Sequence, residues 1–283
     1  MKKIWVIARM TFRENVRKRI VLTGLVLGLI FLVVFSIGFR MVYINALINP
    51  EMQGGALSRV VVSEATNMLL LAGLYAVTFL SVALGALLGA DTLSGEINSG
   101  TIQTIVSKPV RRAEVVLGKW LGFAILLGLY SLLMSGGTVF SIWVQSDYLP
   151  TNMLVGVSLI YLEALLIMTL ALFCSSFLSG LATGGVVFGM YGLAFIGGWV
   201  EQIGTAIQNP TAVQVGIITS LLIPSESLWR RASFEMQSPI SSVLGISPFG
   251  SGAVPSPLMV AYAALYLLFF LWAAISTLEN RDL

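Results

Sequence analysis

The chain has 283 residues, 57% of them hydrophobic and only 10% charged, against about a quarter charged in a soluble domain. That composition excludes an ordinary soluble protein, a net charge of +3 is too small to point to a nucleic-acid partner, and one cysteine (Cys174) excludes an internal disulfide. With no histidine, a zinc site of the His/Cys type is excluded as well, and no metal site is expected.

In chain order, residues 2–19 place Ile4, Trp5, Ala8, Phe12 and Val16 roughly along one helical face with basic residues over the remainder. This pattern predicts an interfacial helix over 1–19, serving as a positive flank or as a cuff against a cytoplasmic partner. The apolar run that follows is long and lacks a small-residue cleavage site, so an uncleaved anchor is expected rather than a signal peptide.

Six stretches are long and apolar enough to cross a membrane as helices: 20–39, 66–90, 120–144, 153–173, 180–200 and 258–278. Short alternating segments of the membrane β-barrel kind are absent, as is a visible internal repeat of the kind many secondary transporters carry. The expectation is an all-α polytopic membrane protein forming a single domain over 1–283.

Orientation follows from lysine and arginine. With the N-terminus inside, twelve basic residues fall on the cytoplasmic side and Arg40, Arg59, Arg230 and Arg231 outside. Both termini and the loop over 91–119 are then cytoplasmic, and 201–257 is an outer segment. Within that segment Thr211 to Ile223 is apolar but too short to span, and Pro224 breaks it. Ser225 is expected to cap a short helix carrying Leu228, Trp229, Ala232 and Met236, either at the outer interface or dipping into the membrane and returning.

The loop reads as a helix starting near Ser94, with Ile97, Thr101, Ile102 and Ile105 as its apolar stripe, ended by Ser107-Lys108-Pro109. Positive-inside charge alone explains Lys108, Arg111 and Arg112, but not the order of the other residues. The stretch GADTLSGEINSGTIQTIVSKPVRRAEVVLGKWLG closely resembles the cytoplasmic loop of the type-2 ABC exporter permeases. The matching positions are Ser94, Gly95, Glu96, Gly100, Thr101, Ser107, Pro109, Arg112, Gly118 and Lys119, with Leu93 where the pattern has isoleucine. Within that family the chain looks most similar to the branch associated with maturation of multi-copper enzymes such as nitrous-oxide reductase.

The resemblance implies a cytoplasmic coupling helix that rests on a separate ATPase, so Ser94, Gly95, Glu96, Gly100, Thr101, Ser107, Lys108, Pro109, Arg111 and Arg112 are the expected ATPase-coupling residues. It also implies two ATPase copies, a second permease subunit as homodimer or heterodimer, and a prokaryotic cytoplasmic membrane as the location. ATP and magnesium are expected in the partner, since the chain has no G-x-x-x-x-G-K-[ST] loop; no cofactor is expected in this chain. No catalytic constellation is present either, so an enzyme is not expected.

Glu163, at the centre of its span, is the candidate for a substrate or ion pathway, the alternative being a protonated glutamate bonded to a neighbouring span near Ser158, Tyr161 and Thr169. Two other functions fit the residues. One is a mechanical transmitter that passes force to an extracytoplasmic partner through 201–257 without transport. The other is an ion-coupled secondary transporter centred on Glu163. Small-xxx-small pairs at Gly24/Gly28, Gly85/Gly89, Gly118/Gly122 and Gly185/Gly189 fit packing within the subunit or against a second one.

Overall fold

The computed structural model describes residues 2–48, 56–90, 92, 111–238 and 254–279. Among the described residues there are nine helices and no strand. They are α1 (Lys2–Val16), α2 (Arg19–Ile48), α3 (Ala56–Ala90), α4 (Arg112–Ser146), α5 (Met153–Ser175), α6 (Gly180–Ala206), α7 (Pro210–Leu222), α8 (Ser225–Met236) and α9 (Pro257–Glu279). Six of them, α2 to α6 and α9, are long and apolar enough to span, and the protein is a polytopic all-α membrane protein.

The helices run past the apolar stretches that mark them. α3 begins ten residues before Thr66 and takes in Arg59 and Glu64; α4 takes in Arg112, Glu114 and Lys119. A charge close to a helix end ends the apolar run without ending the helix, because the backbone hydrogen bonds continue past it.

The core is α5. Ile160, Ala164, Leu166, Ile167, Met168, Leu170 and Ala171 are all at most 2% exposed, as expected of a helix apolar on every side. It is wrapped by α3, α8, α9 and α4. The closest approach is to α3, where a Cβ on Gly85 would stand 2.9 Å from the Ala164 carbonyl and one on Gly89 2.6 Å from the Met168 carbonyl. Only glycine lets the two backbones come this near. Gly118 and Gly122 do the same for α1 on α4, against Ile7, Ala8 and Thr11, and Gly28 meets Met134 and Tyr130. Three of the four small-residue pairs are therefore contacts within the chain, whereas Gly185 and Gly189 are exposed and face open space.

The face α1 buries differs from the expected one. Ala8, Thr11 and Asn15 are buried against α4, while Trp5 and Val16 of the expected stripe are 59% and 46% exposed. The glycine pair on α4 draws in the small side of α1, leaving Trp5, Val6 and Met10 exposed on its outer side.

Residues 201–257 do not form an external loop throughout. Residues 201–206 complete α6, and Asn209 caps α7, its Oδ1 accepting from the amides of Thr211 and Ala212 with Pro210 in the first turn. α7 then folds back along α6: Gly204 faces Ala212, Gly216 faces Glu201 and Gly197 faces Thr219. This antiparallel register carries α7 from the end of α6 to about its middle. A bend of 103° at Ile223 and Pro224 leads into α8, which returns to the starting end, where Met236 seats on Gly156 in the first turn of α5. Asn67 of α3 closes this end, donating from Nδ2 to the Met236 carbonyl at 3.1 Å and to the Tyr148 hydroxyl at 2.7 Å. The pair is a re-entrant hairpin, the dipping alternative of the two, and Val215, Ile217, Ile218, Leu221 and Leu222 cover its outer side with exposed apolar surface.

Ser225 does not cap α8. Pro224 takes the cap position and its carbonyl accepts the Leu228 amide at 3.2 Å, placing Ser225 inside the first turn with its hydroxyl unbonded among the described residues. Leu228, Trp229, Ala232 and Met236 form the buried face as the spacing predicts.

Candidate functional site

Two regions of the fold carry polar chemistry. The first is the junction of α4 with the segment before it. Of the expected coupling residues, Ser94, Gly95, Glu96, Gly100, Thr101, Ser107, Lys108 and Pro109 lie outside the described residues, and Arg111 and Arg112 lie within them. Arg111 is exposed, and its amide donates to Glu114 Oε2 at 3.1 Å, which satisfies one of the free donors at the start of α4. Arg112 reaches across to α9, where its Nη1 donates to the carbonyls of Leu278 at 2.9 Å and Glu279 at 3.4 Å. A guanidinium at a helix C-terminus meets both the free carbonyls and the negative end of the helix dipole. The loop end is thus tied to the last span as well as continuous with α4. Lys119, two turns further along, is buried at 5% exposure.

The second region lies in the bundle interior, where the re-entrant hairpin meets α5, α6 and α3. Glu163 of α5 is fully buried, and neither carboxyl oxygen accepts a hydrogen bond among the described residues. The neighbours that sequence proximity offers are engaged elsewhere. Tyr161 donates to the Ala124 carbonyl at 2.8 Å, Ser158 to Leu154 at 2.7 Å, and Thr169 to Leu165 at 2.7 Å while accepting from Trp120 Nε1 at 2.8 Å. Glu226 of α8, the helix packed on α5, lies within electrostatic reach of Glu163; its side chain rests on Gly198 of α6 and its Oε2 is also unbonded among the described residues.

Beside it Arg230, one helical turn on, donates from Nη2 to Glu201 Oε2 at 2.8 Å and to Ser220 Oγ at 3.3 Å. This ion pair joins α8 to α6 and α7 with both side chains less than a tenth exposed. Tyr75 and Tyr191 complete the cluster; the Tyr75 ring stands 4.8 Å from that of Trp229 and 6.3 Å from that of Phe195. Both tyrosines also line an apolar cleft of about 620 Å³ between α2, α3 and α6, with Leu27, Phe31, Phe79 and Phe195 on its walls. Among the described residues no group of three or more acidic, histidine or cysteine side chains is placed to hold a metal ion.

Sequence reasoning singled out Glu163 but not Glu201, Glu226 or Arg230. The available signal was Glu226 and Arg230, four residues apart on one helical face directly after the apolar run 211–223.

The sequence pattern described as ABC-2 family transporter protein matches residues 5–283, nearly the whole chain. Among curated proteins, the chain is similar to the probable ABC transporter permease protein NosY of Stutzerimonas stutzeri, with 25% identity over 154 residues. That match covers 54% of this chain and 50% of the relative, so the chain spans about half the length of the curated relative it matches.

Proposed function

Because the chain belongs to the ABC-2 family of transporter proteins, we propose that it is the membrane permease subunit of an ATP-driven exporter. Two copies of a separate ATPase hold ATP and magnesium on the cytoplasmic side, and two permease subunits form the path through a prokaryotic cytoplasmic membrane. This chain contributes no catalytic group. The segment 94–112 rests on the ATPase, and closing of the ATPase pair on nucleotide pushes it. Residues Ser94, Gly95, Glu96, Gly100, Thr101, Ser107, Lys108 and Pro109 form that contact, and Arg111 and Arg112 anchor its end.

The observation that carries this reading is the family match over residues 5–283. The anchoring of Arg112 on α9 supports it mechanically, because a push on the loop moves α3 and α4, which it joins, and α9, to which it is tied. The energetic requirement is that nucleotide binds one arrangement of the complex more tightly than the other. The second permease subunit packs against the open face of α6 that carries Gly185 and Gly189, the small-residue pair that meets nothing among the described residues.

The test is purification of the chain from its native membrane in mild detergent, with mass-spectrometric identification of what accompanies it. A stoichiometric phosphate-loop ATPase is the expected result. Its repeated absence from intact, folded chain rejects the reading and returns weight to ion coupling through Glu163. Dependence on the ATPase without any transported solute favours the mechanical transmitter instead.

A further inference from the structure

Glu163, Glu201, Glu226 and Arg230 put three carboxyls and one guanidinium into the bundle interior, each less than a tenth exposed. One guanidinium cannot neutralise three carboxylates, and Arg230 spends its nearest nitrogen on Glu201. Glu163 is left with two unbonded oxygens and Glu226 with one, while Ser225 beside it keeps an unbonded, fully buried hydroxyl. A buried charge without a counter-charge or hydrogen bonds is strongly disfavoured, and the usual resolution is that the group takes up a proton.

Among the described residues, the surroundings of Glu163 offer no other resolution. α8 presents Glu226 and, behind it, Arg230; α3 presents Tyr75; α6 presents Tyr191 and, toward its end, Glu201. The charged residues of α4 (Arg112, Glu114, Lys119) and of α9 (Glu279) lie toward the opposite end of the bundle, where Arg112 meets the end of α9.

We propose that Glu163 and Glu226 form an intramembrane proton-binding site between the central span and the re-entrant helix α8. Both carboxyls are held as acids while α8 is seated on α5. When α8 lifts away, water reaches the pair, each O–H bond breaks, the proton passes to water and a carboxylate remains. Seating of the hairpin and proton occupancy are then one linked equilibrium, a property independent of which partner moves the hairpin.

Infrared spectroscopy of the chain in lipid vesicles at neutral pH tests this through the C=O stretch of protonated carboxyl groups and its shift in deuterium oxide. Glu163→Gln, close in shape to the neutral acid, is expected to remove one carboxyl's share of that band, and Glu226→Gln a second. Glu235→Gln, at a carboxylate paired with Arg231, is expected to remove none. A band unchanged by both of the first two substitutions overturns the proposal. Should either variant fail to accumulate, the wild-type chain is treated with a lipid-soluble carbodiimide, which reacts with protonated carboxyls in apolar surroundings, and the adduct is mapped by mass spectrometry. Adduct on Glu163 or Glu226 supports the site; absence of both band and adduct overturns it. No ATPase enters the measurement, so its outcome is separate from that of the transport reading.

Discussion

Arg112 donates from Nη1 to the carbonyl of Leu278, bridging the first turn of α4 and the last turn of α9 across 166 residues of sequence. Two of the free carbonyls at the end of α9 thereby gain a charged donor. The bond lies where the proposed coupling segment enters the membrane domain, so it joins a local cap to a long-range mechanical link.

Arg112 and Glu96 should therefore fail differently. Arg112→Ala removes charge-assisted hydrogen bonds worth about 1 kcal/mol at a partly exposed site. It is expected to lower the thermal midpoint of the purified chain slightly while ATPase still co-purifies. Glu96→Lys is expected to leave the midpoint alone and reduce co-purified ATPase several-fold. Thermal melting and quantitative co-purification read the two effects. Identical behaviour of the variants in both assays refutes the division of labour.

The glycine pairs divide in the same testable way. Gly89→Val places a side chain against Met168 and Ala171, where a Cβ alone would stand 2.6 Å from each. Overpacking of this kind costs about 1–3 kcal/mol, and more where backbone must move. Reduced accumulation and a lower midpoint are the expected outcome. At Gly189 a Cβ would meet nothing within 4 Å among the described residues, so Gly189→Val should keep the fold. If α6 carries the permease contact, that variant runs as a smaller species in size-exclusion chromatography with light scattering.

Breaking the buried pair is expected to be worse than replacing it. Arg230→Met leaves Glu201 buried without its partner, a change of about 3–5 kcal/mol. Adding Glu201→Gln removes the stranded charge and should recover a large part of that loss, because neither new side chain is ionised. A double-mutant cycle on the unfolding midpoint measures the coupling. An additive result rejects the pair as the tie between α8 and α6.

Cys174 supplies an internal probe for these experiments. It is the only cysteine in the sequence and 5% exposed, packed at the C-terminal end of α5. In the native chain it should react with a maleimide only slowly, and fully after denaturation. The rate of labelling should rise for Gly89→Val and for Arg230→Met and stay unchanged for Gly189→Val. Rapid labelling of the native wild-type chain contradicts the burial of this end of α5.

Much of the architecture is written in one dimension. A run of about 20 apolar residues is a statement about solvent, and it needs no knowledge of neighbours to be read. The six spans follow from this, as does the breaking of α7 at Pro224. The loop pattern from Ser94 to Lys119 carried the family resemblance for the same reason, since its glycines, glutamate and proline stand close together along the chain. The tertiary structure decided what depends on register between distant segments. Composition marks glycine pairs as places of close approach, yet only packing assigns Gly85/Gly89 to α5 and leaves Gly185/Gly189 open. Likewise Glu163 is legible as a mid-span acid, but Glu226, which lies within its electrostatic reach, comes from a segment that hydropathy reads as external, 63 residues away. That segment is too short to span, and burial of its polar side chains depends on α5, α6 and α3 closing around it. Hydropathy fixes how many helices cross the membrane; which charges meet inside is fixed only when those helices pack.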